Sequence, residues 1–243
     1  MKKIEIKTRD GIADVYVFQP EEQGKWPAVL FYMDGFGVRP DLFKMAERLA
    51  SNGYYVVLPN LYHRWDIKEP IRIEDIMKEG PARDKLFAMV SELTPEKVMS
   101  DTNALLEFIE KQDQVKKGSV ASVGYCMGGK FALAAAATFP DTVKAAASYH
   151  GGSLATTRPE SVHLLVPHIK GNIYIGVAEQ DHNFSIEEKE LLIKSLEDAH
   201  VHYTLEVYEG ARHGFAVYGH PVYNEEASEK HWKTLLDLLE KKL

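Results

Sequence analysis

The sequence predicts an α/β fold, with a mostly parallel central sheet and helices on both of its faces. Continuous apolar runs at residues 28–33 and 54–58 have the composition of strands that are covered on both sides. Helical segments separate these runs from further apolar runs at residues 119–123 and 143–149. Such alternation is typical of a parallel sheet, because parallel neighbours need a long crossover connection that is usually a helix.

The chain begins with two short predicted strands, residues 4–7 and 13–18, which a turn at Asp10 and Gly11 joins into an antiparallel hairpin. The other predicted elements are the strands 172–177 and 202–208 and the helices 41–51, 95–112, 130–138, 185–199 and 224–239. No repeat, low-complexity tract or linker interrupts this order. We therefore predict a single domain over residues 1–243.

Residues 60–95 are the least regular part of the predicted fold and are rich in charge. We interpret them as an excursion over the edge of the sheet. A lid over the binding pocket is one role for such a segment.

Composition excludes several classes of partner. The chain carries 36 acidic and 29 basic residues, a net charge of −7, and lacks the basic stripe with aromatic residues that nucleic-acid binders need. No apolar run approaches the roughly 20 residues that span a bilayer, and the N-terminus lacks the apolar core of a secretory signal. One cysteine cannot form an internal disulfide. We predict a cytoplasmic monomer that acts on a small molecule, with no nucleic-acid or membrane partner.

The strongest local signal is the sequence GYCMGG at residues 124–129, which follows an apolar strand and opens an alanine-rich helix. This setting is typical of a nucleophile elbow, in which glycines let the strand and the helix pack closely. Cys126 stands at the nucleophile position, where the helix dipole and free N–H groups favour a thiolate. A lone cysteine can instead be a small buried hydrophobic residue. The strand–turn–helix setting favours the nucleophile.

A nucleophile elbow needs an acid and then a histidine later in the chain. Asp181 follows a predicted strand, at the end where such sheets hold catalytic groups, and Glu179 is the competing acid. His213 comes a few residues after the last predicted strand and is the predicted base. Two other histidines fit this order less well, since His150 precedes the acid and His220 lies farther from the strand.

Acyl transfer also needs donors for the oxyanion. In this architecture they are the amide after the nucleophile, here that of Met127, and an amide from the loop after the third strand. That loop contains Gly35, which permits a close backbone approach, so we predict its amide as the second donor. The alternative interpretation of the loop is a plain turn.

With these residues the chain resembles the dienelactone hydrolase family of α/β-hydrolases. The resemblance spans nearly the whole chain and rests on the cysteine elbow, Asp181, residues 213–215, and the loop at residues 34–37. It implies a Cys–His–Asp triad, no metal or organic cofactor, and attack of Cys126 on an ester or lactone carbonyl followed by hydrolysis of the thioester. A glutamate that helps to hold or activate the thiol in the family is matched here by Asp34, which is one methylene shorter.

The resemblance further implies two arginines that grip a substrate carboxylate. Arg83 matches one of them, whereas the position four residues after the catalytic histidine holds Val217, with Arg212 as the nearest cation. This apolar replacement predicts a cleft that favours a neutral ester over one that bears a carboxylate. The aromatic residues predicted to line that cleft are Phe36, Phe87, Tyr125, Tyr149 and Phe215.

Two functions from other classes compete with hydrolysis. A non-catalytic protein of this fold usually lacks a triad member, and here all three positions are filled. A redox role is disfavoured because the single thiol has no resolving cysteine in the chain. The sequence therefore predicts a cysteine hydrolase of small esters or lactones.

Overall fold

Eight strands form the framework of the protein in the computed structural model, which describes residues 1–65, 67, 71–76 and 78–243. The strands are β1 Lys2–Thr8, β2 Gly11–Phe18, β3 Trp26–Tyr32, β4 Tyr55–Pro59, β5 Val115–Tyr125, β6 Val143–Tyr149, β7 Asn172–Gln180 and β8 Tyr203–Arg212. They form one sheet in the order β1-β2-β4-β3-β5-β6-β7-β8.

The sheet is mostly parallel, as the sequence predicts. β1 and β2 form the antiparallel hairpin and β2 pairs antiparallel with β4, whereas every neighbouring pair from β4 to β8 is parallel. Val29 in the central strand β3 pairs with Val56 on one side and with Ala121 on the other. The carboxyl ends of six strands therefore meet at one edge, where sheets of this kind hold their ligands.

Seven α-helices and one 3-10 helix connect the strands in the described residues. They are α1 Pro40–Ser51, α2 Ile73–Ile76, α3 Pro81–Glu92, α4 Pro95–Glu110, α5 Met127–Thr138, α6 Ile186–Asp198, α7 Glu225–Lys242 and the 3-10 helix Val162–His168. Sequence-local capping sets some of their starts: Ser185 and Glu188 form a reciprocal capping box at the beginning of α6. None of the described helices is long and apolar enough to cross a bilayer.

Helices cover both faces of the sheet. In β5, the hydroxyl of Ser122 donates to the carbonyl of Ala132 in α5, while the hydroxyl of Tyr125 is 2.8 Å from Nε2 of His231 in α7. Residues three apart in a strand point to opposite faces, so α5 and α7 lie on opposite sides. This arrangement explains why β3 is buried at five consecutive residues, Ala28 to Tyr32.

The segment at residues 60–95 is more regular than the sequence indicates, since it contains α2 and α3. Arg64 anchors its beginning, because its guanidinium donates to both carboxylate oxygens of Asp101 in α4, at 2.8 and 2.9 Å, and to Asp10. The lid interpretation stays a prediction, and for residues 66, 68–70 and 77 it lies outside the described residues.

Candidate active site

Cys126 is the single residue between β5 and α5. Its backbone has φ 54° and ψ −117°, which an L-residue rarely adopts. The strand and helix approach so closely that a Cβ on Gly124 would collide with the carbonyl of Gly128, and a Cβ on Gly128 with the carbonyl of Tyr32. The glycines are therefore required by the packing, and the turn they permit holds the thiol at the carboxyl edge of the sheet.

The three residues of the predicted triad converge at this edge. Nε2 of His213 lies 3.0 Å from the sulfur of Cys126. Nδ1 of the same ring lies 2.9 and 2.8 Å from the two carboxylate oxygens of Asp181. The Asp181 side chain is only 2 % exposed, and the amide of Asn183 also donates to it at 2.8 Å. The carboxylate is thus fixed on one side of the imidazole and the thiol on the other.

The electrostatics of the site favour the charged form of the His213 ring. Burial opposes protonation of His213, but the charge of Cys126 and the hydrogen bond with Asp181 outweigh it and raise its pKa to about 10. An imidazole with this pKa holds its proton at neutral pH.

The residues that compete for these roles in the sequence make other contacts. Glu179 accepts a hydrogen bond from the amide of Gly210 at 2.8 Å and is exposed. His220 packs against Phe36, with 5.6 Å between the ring centroids. His150 is 1 % exposed and its ring lies 5.2 Å from that of His213. Burial, with the nearby His213 and His220, keeps the pKa of His150 well below its usual range, so it is neutral.

The hydroxyl of Tyr62 contacts both residues that the sequence predicts as oxyanion donors. Its hydroxyl donates to the carbonyl of Gly35 at 2.6 Å and lies 3.9 Å from the sulfur of Met127. The amide of Met127 is in the first turn of α5, where helix amides have no intrahelical acceptor. Sequence reasoning missed Tyr62 as a functional residue, because it comes from the segment after β4.

The hydrogen bonds of Asp34 in the described residues lie within its own loop, and its thiol-modulating role stays a prediction. Its two carboxylate oxygens accept from the Arg39 guanidinium at 2.6 and 2.7 Å, and one of them also accepts from the amide of Phe36 at 3.0 Å. The side chain is 3 % exposed. The aspartate side chain is short and Arg39 lies only five residues away, so the carboxylate and the guanidinium pair within the same loop. It fixes the loop that contains Gly35.

Three of the aromatic residues predicted to bind substrate belong to the core. Tyr125, Tyr149 and Phe215 are each 0 % exposed. The Tyr125 hydroxyl contacts His231, and the Tyr149 hydroxyl lies 3.0 Å from Oγ1 of Thr234 in α7. The ring of Phe215 stacks on that of Tyr208, with centroids 4.7 Å apart. These side chains face the interior layer beneath α7, and their role in substrate binding stays a prediction.

The predicted carboxylate clamp is also absent in its expected form. Val217 is 0 % exposed, so position 217 faces the core. Arg83 lies on α3 with its guanidinium 5.2 Å from the ring centroid of Phe87, which is 53 % exposed. Phe36 is half-buried beside the Arg39 guanidinium at 5.6 Å. The role of Arg83 and Phe36 in substrate binding stays a prediction.

A cleft of about 320 Å³ lies beside α5; we call it the α3 cleft. One wall is α3 and the other is the loop after β6, with Lys130 of α5 between them. Its residues include Phe87, Val90, Lys130, Ser153, Arg158 and Glu160. A Cβ on Gly35 would lie 3.7 Å from Val90, which places the cleft next to the candidate oxyanion site. The cleft is more polar than the predicted apolar one, and sequence reasoning missed its cations.

Comparison with known proteins agrees with this geometry. A Synechocystis protein provisionally named a carboxymethylenebutenolidase is 28 % identical over 232 residues, covering 94 % of this chain and 91 % of its own. A Methylorubrum extorquens protein with the same provisional name is 26 % identical over 239 residues, covering 97 % and 79 %. The crystal structure of a Klebsiella pneumoniae protein, provisionally a dienelactone hydrolase, superposes with a TM-score of 0.86 at 21 % identity, covering 99 % and 98 %.

The sequence characteristics of one family extend over most of the chain. Residues 13–243 match the dienelactone hydrolase family. The solved Klebsiella pneumoniae structure shows the same fold, and the curated relatives span nearly the same length. The chain belongs to the dienelactone hydrolase family.

Proposed function

We propose that this member of the family hydrolyses small esters or lactones through a thioester on Cys126, with His213 as proton donor and acceptor and Asp181 as the group that orients it. Family membership supports hydrolysis of a lactone or ester. The observation that carries the mechanism is the continuous contact from Asp181 through His213 to the sulfur, at 2.8 and 3.0 Å.

In the first step the thiolate of Cys126 attacks the carbonyl carbon and forms the C–S bond. The carbonyl electron pair moves to oxygen, where the amides of Gly35 and Met127 donate to the oxyanion. When the intermediate collapses, the C–O bond to the alcohol breaks and Nε2 of His213 gives its proton to the leaving oxygen. In a lactone this alcohol stays attached to the acyl group.

The second step reuses the same imidazole as a base. Forming the thioester removes the negative charge of Cys126 that raises the pKa of His213. The pKa of the ring is then lower, so the ring stays deprotonated after it has given its proton to the alcohol. It accepts a proton from water, which attacks the thioester carbonyl. The C–S bond then breaks, the acid leaves, and the thiolate and the imidazolium are restored. Asp181 stabilises the charged ring in both halves of the cycle.

Trapping the acyl group tests the proposal. Wild-type protein mixed with p-nitrophenyl acetate and quenched in acid should carry one acetyl group, which peptide mass spectrometry should place on Cys126. Cys126→Ala should fold normally by circular dichroism, release no p-nitrophenolate above the uncatalysed rate and gain no acetyl group. Full turnover in this variant, or acetylation of another side chain, would contradict the mechanism. Binding without turnover in the wild type would favour the non-catalytic alternative.

A further inference from the structure

His150 is a buried histidine to which the proposed mechanism gives no role. It directly follows β6 and is 1 % exposed. In the part of the chain that the structure describes, neither of its ring nitrogens has a hydrogen-bond partner. Buried polar atoms are almost always paired, because an unpaired one loses its hydration without compensation. Two unpaired nitrogens in one buried ring therefore need an explanation.

The backbone of His150 is also strained. Its φ is 39°, in the left-handed region that residues with a side chain rarely adopt. The amide of His150 donates to the carbonyl of Gly176 in β7 at 2.7 Å, and the carbonyl of Tyr149 accepts from the amide of Cys126 at 3.1 Å. Strain of this kind persists where the surroundings impose it and is concentrated at functional sites. His150 is thus fixed between β7 and the nucleophile turn.

The ring of His150 lies against the ring of His213. Their centroids are 5.2 Å apart and their planes are inclined by 67°. The ring of His150 also packs against those of Phe215, with centroids 5.3 Å apart, and Tyr125, at 6.0 Å. Both nitrogens of His213 already have partners in the triad. His150 therefore contacts the His213 ring outside these hydrogen bonds.

The titratable groups around His150 leave His213 as its charged neighbour. Burial keeps the pKa of His150 well below its usual range, so its own ring is neutral. The other titratable neighbours are neutral too, because burial lowers the pKa of His220 and His231 and raises that of Tyr125. His213, in contrast, holds its proton up to about pH 10. A neutral imidazole thus lies beside an imidazolium.

The missing hydrogen bonds of His150 bear on its tautomer. A neutral imidazole has a proton on one nitrogen and a lone pair on the other, and hydrogen bonds normally determine which nitrogen is which. Since neither nitrogen of His150 has a partner, the charge of His213 favours the tautomer whose lone pair lies nearer to it. A phenylalanine would fill nearly the same space without burying polar atoms, but it has no such lone pair.

We propose that His150 is a positioning residue, whose unpartnered nitrogen turns its lone pair towards His213 and holds that ring in the protonated form that donates to the leaving alcohol. This inference rests on the proposed function. It explains why the buried ring has nitrogens that bind no other group, since a donor at the lone pair would weaken its attraction to the imidazolium.

His150→Phe tests the lone pair, because the variant keeps a ring of similar size and lacks the nitrogens. For an alkyl ester, the fall of kcat/KM near pH 10 should begin about one pH unit lower, the usual spread of a pKa between protein environments. The variant should therefore be about threefold less active than the wild type at about pH 9.5 and equal to it at neutral pH. His163→Phe is the matched control. It removes a buried imidazole that is hydrogen-bonded to Ser161, and it should leave the profile unchanged.

Nitrogen NMR measures the same interaction without turnover. In protein labelled with 15N-histidine, the pKa of His213 should be about one pH unit lower in His150→Phe than in the wild type. The signals of His213 are identified by their loss in His213→Gln. In the wild type, one ring nitrogen of His150 should have the chemical shift of a bare lone pair at neutral pH and should respond as His213 titrates. This measurement needs no His150 variant, so it tests the proposal even where His150→Phe does not fold.

The outcomes separate this proposal from a packing role and from the mechanism. An unchanged pKa of His213 in His150→Phe, with only the free energy of unfolding altered, would show that His150 fills space and would overturn the proposal. So would His150 signals in the wild type that do not respond to the titration of His213. A pKa of His213 that depends on His150, in a protein that hydrolyses no ester, would refute the proposed function and retain the interaction. Ester hydrolysis by the wild type, with the same pKa of His213 in both proteins, would refute the role of His150 alone.

Discussion

Removing the hydroxyl of Tyr62 tests whether this residue supports the oxyanion site. This hydroxyl is 2.6 Å from the carbonyl of Gly35, and Tyr62 is only 2 % exposed. Tyr62→Phe keeps the ring and leaves that carbonyl without its donor, a change worth about 1–3 kcal/mol. Loss of a whole oxyanion donor costs about 100- to 1000-fold in kcat. Because Tyr62 fixes the peptide group that follows the Gly35 amide and does not touch the oxyanion, we expect about a tenfold loss, or about 1.4 kcal/mol.

The assay is the pre-steady-state release of p-nitrophenolate from p-nitrophenyl acetate. The acylation rate constant should fall about tenfold in Tyr62→Phe, while KM changes by less than about twofold, because the lost interaction belongs to the transition state. Tyr55→Phe is the matched control, since Tyr55 begins β4 at the strand end opposite to the site. A change confined to KM, or the same change in both variants, would refute the positioning role of Tyr62.

Three further predictions follow from buried charges. For an alkyl ester, kcat/KM should decrease as pH rises through about 10, because His213 then loses the proton that it gives to the alcohol. A flat pH profile would contradict the role of His213 as proton donor. Val217→Arg should lower the free energy of unfolding in urea by about 3 kcal/mol or more, since it buries a charge without a partner, whereas Val207→Arg at an exposed position should have little effect. Asp34→Ala should cost about 3–5 kcal/mol in the same assay by leaving Arg39 buried without its carboxylate, and a loss below about 1 kcal/mol would show that the pair is solvated.

The strands that carry the site could be predicted from the sequence because buried parallel strands are apolar throughout. The helix α3 could not, since only Leu86 and Met89 of its twelve residues are buried and the apolar period is too sparse to detect. The beginning of β5 was missed for a similar reason. Lys116, Lys117 and Gly118 are exposed and resemble a loop, although Val115 pairs with Trp26.

The residues of the elbow were placed correctly because a strained turn needs glycine at fixed positions. The orientation of the predicted pocket residues could not be derived in this way, because Tyr125 and Tyr149 are in strands that are buried on both faces. Both faces of such a strand are apolar, so the sequence pattern does not indicate to which face a given side chain points. Arg158 was missed because it reaches the cleft from a loop 32 residues beyond Cys126 in sequence (158 − 126).

The two departures from the family resemblance, Asp34 and Val217, are both buried. A carboxylate that is 2 % exposed needs a cation, and Arg39 supplies it from the same loop, with two donor nitrogens on two oxygens. Position 217 is itself in the core, where Val217 is 0 % exposed, so a cation at that position would be buried without a partner.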